Sequence, residues 1–390
     1  MSTATEQFDH WIRTSFVEMN TALEELYFCR EDPADIEEIG QDIKHALVEE
    51  GNKLIRPLVN EGNTDEGFDR AYDLLGNLGL FLGALRRHEL TNPAREKSSP
   101  FQEASALGLH IGASLGVAPR FATAHLADRN RAVNGVQKSF TSLKDEFIFI
   151  DYNTMGIFSY MRAADALMRI SPIGISNKAA WLLLKTAREA LEDVAHYNEV
   201  LFETLDVRRF FYCVRPYYKP YRVGRAEYRG ANAGDFAGIN QIDLLLGLCR
   251  GNDPYYAQMM VDKMPYMLPE DQKRLMDCLR RKSLLDELLE AAESSNQEDW
   301  FQCNGKAFLD VCRAHGHTAE QHHNQLVSRF IESPSGDMEE KHLKQITASG
   351  PPLPALLSAL EKLRDLRMAA PRTDMITAHE KLQQLEGLLD

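Results

Sequence analysis

The stretch WLLLKTAREALEDVAHYNEVLFETL (residues 181–205) decides the fold class. Leu183, Ala187, Leu191 and Ala195 recur at four-residue steps with charges between them, and Leu182 and Leu201 extend the apolar set. A helix face repeats every three or four residues, a strand face every two, so the spacing predicts one long amphipathic helix. The same period holds outward in both directions, over residues 25–28, 36–48, 68–88, 275–292 and 300–331. The helix over 68–88 closes on Arg86, Arg87 and His88, cations that suit the negative end of a helix dipole. Alternation of the strand kind is rare; FIFI (147–150) is short enough to suit either state. Four connecting stretches stand out, at 94–100, 118–136, 216–238 and 333–354. The expectation is an all-α protein without internal repeats. A smaller N-terminal helical domain takes residues 1–140, and a larger C-terminal helical domain takes 141–390.

Composition narrows the function. At 390 residues and 44% hydrophobic content the chain has enough apolar material for a sizeable core, which excludes a fully disordered chain. The net charge of −14, from 44 basic and 58 acidic residues, comes with no basic patch, which argues against a nucleic-acid partner. The most apolar run, 74–85, is interrupted by Asn77 and glycines and is too short to span a bilayer, so no membrane partner is expected. The first residues, MSTATEQFDHW, lack the basic and apolar blocks of a secretory signal. Six scattered cysteines without a CxxC pair read as reduced thiols of a cytoplasmic protein.

Three segments carry chemistry. In CRAHGHTAEQHHNQLVSRFI (312–331), a helical reading puts His323 on one face with Leu326, Val327, Phe330 and Ile331, whereas His322 shares a solvated face with Gln325 and Arg329. A histidine on an apolar stripe is either a core residue bonded to a backbone carbonyl or a metal or heme ligand. A zinc site from Cys312, His315 and His317 is a third reading, with a spacing that matches no common zinc pattern. The second segment, RRFFYCVRPYYKPYRVG (208–224), packs six aromatics into a dozen residues around Arg215. It suits a flat aromatic ligand whose carboxylate an arginine would clamp, or a simple aromatic core. The third, GANAGDFAGINQIDLLLGL (230–248), opens on small residues that allow close backbone approach and becomes an apolar helix bearing one acid, Asp243.

In this order the segments resemble the heme-dependent indoleamine 2,3-dioxygenase family, over about residues 140–366. FFYCVR is similar to that family's distal FFxxLR segment, which implies Phe210, Phe211 and Arg215 over a heme. ANAGDFAGINQIDLLLGL is similar to its small-residue loop and the helix that follows. That implies Asn232, Ala233 and Gly234 at the heme edge and Asp243 in a nearby hydrogen-bond network. PYMLPEDQKRLM resembles the family's YMPPxHRxFL stretch. HHNQLVSRFI resembles the proximal helix, and its register selects His323 as iron ligand, with Val327 beside the heme. SFTSLKDEFIF implies Phe149 and Asn153 in the distal wall; a shifted register would put Ser159 there. LGLFLGALRRHELTNP, SFTSLKDE, RPYYKPYRVG and ITASGPPLP together resemble the monodechloroaminopyrrolnitrin synthase branch, which extends the likeness over most of the chain.

The resemblance implies non-covalent heme b and an oxygenase acting on tryptophan or a related aromatic amine in secondary metabolism. Its oxidant would be O2 or peroxide (H2O2), with room for an external electron donor. The chain also departs from the dioxygenases. ITASGPPLP replaces their glycine-rich GTGG loop, so capture of the substrate's amino acid group must differ. Glu320 stands where a propionate-binding arginine is usual, leaving Arg329 or His322 as substitutes. His88 and His110 are candidates for a distal histidine. The stretch 333–354 is placed to act as a lid. A peroxide-using hydroxylase, a ring-rearranging enzyme and a non-catalytic heme sensor or carrier are the rival readings. A helical scaffold without heme has no heptad or repeat to support it.

Overall fold

The computed structural model describes residues 3–62, 67–231, 233–325 and 353–389. The elements are almost all helical. Five helices come first: α1 (Thr3–Arg13), α2 (Ser15–Phe28), α3 (Gln41–Glu61), α4 (Phe68–Arg87) and α5 (Gln102–Leu115). A single turn, α6 (Thr123–Leu126), precedes the two longest helices, α7 (Lys144–Ile170) and α8 (Lys178–Thr204). The short α9 (Val207–Arg209) runs into a π-helical turn, Phe210–Val214, and a 3-10 turn, Arg215–Tyr218. There follow α10 (Ala237–Leu246), α11 (Pro254–Lys263), α12 (Pro269–Arg280), α13 (Leu284–Ser295), α14 (Asp299–Gln321), α15 (Leu353–Arg367) and α16 (His379–Leu389). Among the described residues the only sheet is a hairpin, β1 (Tyr221–Val223) against antiparallel β2 (Ala226–Tyr228).

Helices form over most of the expected stretches, but the one expected from residue 36 begins at Gln41, and residues 326–331 of the last lie outside the described residues. The helix read from 181–205 is α8; Asn177 caps it by accepting from the Ala179 amide at 2.9 Å. Its buried stripe is Ala180, Leu184, Ala187, Leu191 and Val194, while Trp181 and Leu182 face solvent. Ala187 and Leu191 lie on it as expected, while Leu184 and Val194 take the places expected of Leu183 and Ala195. FIFI is helical, inside α7. The helix expected over 275–292 is two, because Ser283 accepts from the Asp286 amide and starts α13 afresh. The stretch 216–238 contains the hairpin rather than pure loop.

Apolar side chains gather in two main clusters. One is built on α1, α3, α4 and α5 and draws in Ile150 from α7 and residues from Leu201 to Val223. Helix α4 is its centre and is buried on nearly all sides from Leu74 to Arg87. Gly79 lets Phe121 cross it; a Cβ there would lie 2.5 Å from the Phe121 nitrogen. The other cluster holds the second half of α7, most of α8 and helices α10 to α16. Helices α7 and α8 pack along each other and reach into both clusters. Among the described residues no helix is long and apolar enough to cross a membrane, and all six cysteines are free thiols.

Candidate functional site

A cavity of about 780 Å³ lies where the two clusters meet. Five helices each present one stripe to it, at the spacing a helix face requires. Asn153, Gly156, Ile157 and Tyr160 come from α7, and Val194, Asn198, Leu201 and Phe202 from α8. Tyr255, Met259 and Lys263 come from α11, and Leu356, Leu360, Leu363, Arg364 and Arg367 from α15. The end of α14 contributes Thr318, Ala319 and then two adjacent imidazoles, His322 and His323.

Both histidines reach the cavity because the helix changes period there. Helix α14 is α-helical to Gln321 and π-helical over residues 322–325. The expectation that His322 is solvated assumed an unbroken 3.6-residue period, and it is corrected: His322 is half-buried on the cavity wall. Burial, with the charges of Arg367 and Lys263 and the neighbouring His323, lowers its pKa to about 4, so the ring is neutral at pH 7. Gln321 fixes the turn from below: its amide donates to the Ala195 carbonyl at 2.9 Å and its oxygen accepts from Asn198 at 3.1 Å. Both partners belong to α8.

Behind the histidines lies a buried polar network. Asp243, on α10, accepts from His315 Nε2 at 2.7 Å and from the Tyr256 hydroxyl at 2.8 Å. Arg367 grips the same carboxylate through Nε and Nη2 at 3.0 Å each and also lines the cavity. The guanidinium and the imidazole donor hold the Asp243 carboxyl well below the usual carboxylate range, despite its burial. Tyr160 donates to Thr318 at 3.0 Å, which donates to the His315 carbonyl at 2.8 Å. His315 Nδ1 is buried with no hydrogen-bond partner.

One edge of the cavity is cationic. Lys263 is nearly buried and donates to the Gly234 carbonyl at 3.0 Å; burial brings its pKa down to about 8. Arg229 pairs with Asp235 at 2.7 Å, and Asp235 also holds the fully buried Arg120 at 3.0 Å. Both guanidinium groups lie over the Tyr266 ring, at 4.8 and 4.1 Å. The acids on the wall, Glu227 and Asp262, are fewer than the cations Arg229, Lys263, Arg364 and Arg367.

Of the residues singled out in the sequence, Asn153, Gly234 and His323 lie on this wall. Ser159, the shifted alternative, does not. Asp243 is behind the wall, tied to it through Arg367. Ala233 begins the 3-10 turn that carries Gly234. Phe210, Phe211 and Arg215 are not on the wall of this cavity; Phe210 belongs to the N-terminal cluster. Phe149 packs on Phe210 with ring centres 5.1 Å apart and sits one turn before Asn153, whose amide donates to the Phe149 carbonyl at 2.7 Å. Arg215 lies over the Phe211 ring at 5.6 Å. Its Nη2 is buried without a partner, and burial alone lowers its pKa to about 10. Asn232, Val327, Arg329 and the stretch 326–352, which holds most of the expected lid, lie outside the described residues.

Other readings are corrected. His88 is buried in the N-terminal cluster between Tyr27 and Asn20, and His110 is exposed on α5, so neither faces the cavity. Cys312 is buried and His317 exposed, and His315 is engaged with Asp243, which excludes the zinc reading. Among the described residues no three His, Cys, Asp or Glu side chains converge to hold a bare metal ion. Two imidazoles on one wall, apolar helix faces around them and a cationic edge instead fit a flat, apolar, anionic macrocycle that brings its own metal. Lys263, Arg229 and Arg367 were not found from sequence. They stand in no motif and become visible only as members of helix stripes.

The family model described as monodechloroaminopyrrolnitrin synthase PrnB matches residues 2–389.

Proposed function

From the premise that the chain belongs to the monodechloroaminopyrrolnitrin synthase PrnB family, whose members are heme-dependent oxidoreductases of the tryptophan dioxygenase-like superfamily, we propose how its own residues serve that chemistry. The family acts on a tryptophan-derived substrate in secondary metabolism. Membership in an enzyme family leaves the sensor or carrier reading without support. The cavity at the end of α14 holds heme b, and His323 is the iron ligand. The pair of imidazoles on the wall of a cavity that also carries Arg229, Lys263, Arg364 and Arg367 supports this reading. His322, neutral at pH 7, sits beside the ligand and keeps the wall uncharged. Lys263, Arg364 and Arg367, which line the cavity, would hold the carboxylates of the macrocycle in place of the arginine that Glu320 replaces. Asp243 and His315 hold Arg367 in place, as outer hydrogen-bond partners do around metal sites.

When bound, heme supplies the iron chemistry that activates O2 or peroxide. The protein's part is position and dryness. Asn153 and Gly234 bound the space on the cavity wall, whereas Phe210 and Phe211 lie off that wall and take no direct part. The free thiols fit a reducing, cytoplasmic setting.

The test is optical. The ferrous–CO spectrum of the heme-loaded protein should show histidine ligation in wild type and in His322→Ala, and should lose it in His323→Ala. Ligation lost in His322→Ala and kept in His323→Ala would move the ligand by one residue. Absence of stoichiometric heme uptake by wild type would remove the assignment. Product mass after incubation with labelled O2 or labelled peroxide then identifies the oxidant.

A further inference from the structure

A second pocket of about 220 Å³ stands back to back with the main cavity, sharing only Ile157, Phe236 and Tyr266 with it. Its floor is the start of α10 and its mouth is marked by the exposed Met161, Asp165 and Arg274. The charge on its walls is opposite to that of its neighbour. Four aspartates line it, and three are already engaged: Asp235 with Arg120 and Arg229, Asp165 with Arg169 at 2.7 Å, and Asp128 with Arg129 at 3.7 Å. The side chain of the fourth, half-buried Asp271, makes no hydrogen bond or ion pair. Gln241 on the floor is 5% exposed, and its amide also has no partner. Both side chains therefore present unfilled hydrogen-bonding atoms to the pocket, where a bound group can complete them.

We propose that this pocket binds a small organic ammonium ion, a primary amine on a short apolar or aromatic body. Asp271 and the Gln241 carbonyl oxygen accept from the ammonium. Met168, Ile157 and Phe236 cover the body, since thioethers and rings suit an aromatic partner. A hard metal cation does not fit, because it would want six or more oxygens and only one carboxylate is uncommitted. An anion is repelled by the aspartates. The amine is not drawn into the main cavity, where Arg229, Lys263, Arg364 and Arg367 make the edge positive. The proposal does not depend on which histidine ligates iron.

Calorimetric titration of the heme-loaded, full-length protein with phenethylammonium chloride tests it, with 2-phenylethanol as the uncharged control. Wild type should bind the amine with no change in the heme Soret band, and the alcohol at least about tenfold more weakly, given what a charged hydrogen bond contributes. Asp271→Asn should weaken amine binding by about tenfold or more. Gln241→Leu should weaken it too while Asp271 is intact, so two variants report independently, each checked for folding by circular dichroism. No amine binding by wild type, equal binding of amine and alcohol, unchanged affinity in both variants, or a Soret shift on binding would each overturn the proposal.

Discussion

Each apolar cluster buries an arginine–carboxylate pair with a tyrosine, a histidine and an asparagine beside it, but the two groups are wired differently. In the N-terminal copy Arg87 holds Glu24 and lies over the Tyr27 ring, while Tyr27 and Asn20 bond the two nitrogens of His88; in the C-terminal copy Arg367, His315 and Tyr256 all meet Asp243, and Asn240 donates to Tyr256. In both, an arginine grips a buried carboxylate through two nitrogens, at 2.7 Å from Glu24 and 3.0 Å from Asp243. They differ in closure. His88 has a partner on each nitrogen, Tyr27 and Asn20, and none of the five N-terminal residues touches the large cavity. In the C-terminal copy His315 Nδ1 and Asn240 Oδ1 are left without partners, and Arg367 reaches the cavity wall. The closed copy serves the fold, and the open copy serves the site. Chemistry of the parts alone does not tell them apart; the unfilled hydrogen-bond positions do.

The largest expected effect is on stability. Arg87→Leu strands the fully buried Glu24 carboxylate and should cost about 3–5 kcal/mol in urea unfolding. Arg367→Leu should cost less, toward about 3 kcal/mol, because His315 still donates to Asp243. An equal loss in both would show that His315 contributes nothing to holding the Asp243 charge.

Acid should separate the copies next. Burial and the nearby Arg87 and Lys44 charges hold the His88 pKa well below 6.5, so the unfolded chain takes up a proton near pH 6.5 that the folded chain refuses. Stability then falls as pH drops below 6.5, by about 1.4 kcal/mol per pH unit for each such histidine. His125, lowered to about 3 by burial, adds the same slope. His88→Gln should reduce the stability lost between pH 6.5 and 5 by about 2 kcal/mol relative to wild type. Urea midpoints at the two pH values measure it, and an unchanged loss would mean that His88 is protonated in the folded protein.

The tyrosine substitutions should cost less than loss of either arginine. Tyr256→Phe removes a donor at 2.8 Å from Asp243, and Tyr27→Phe removes the partner of His88 at 3.0 Å. Each should cost about 1–3 kcal/mol, with Tyr256→Phe the greater because its acceptor is ionised. The reverse order in unfolding midpoints would argue that the Asp243 charge is already satisfied by Arg367.

How far the sequence could be read follows from what each feature depends on. Periodicity is local, so the long helices α4, α8 and α14 are visible in it, while α7 is not, because FIFI, inside it, suits either state. A single cap is enough to split a pattern, as Ser283 does between α12 and α13. The face of His322 could not be read, since a π turn at 322–325 leaves no trace in a 3.6-residue pattern. Asp243 could be picked out as a lone acid on an apolar helix. Its partners could not, because Arg367 and His315 lie 124 and 72 residues away and meet it only through packing. Gln241 and Asp271 belong to different helices and mean nothing until α10 and α12 are side by side.

The most direct test of the account is a hemin titration of the apoprotein, followed at the Soret band, for Arg367→Leu and Arg87→Leu side by side under conditions where both are folded. The open network predicts that Arg367→Leu weakens heme binding by about tenfold or more, through loss of a charged hydrogen bond, while Arg87→Leu binds as wild type does. Wild-type affinity in Arg367→Leu, or an equal loss in the two variants, would contradict it.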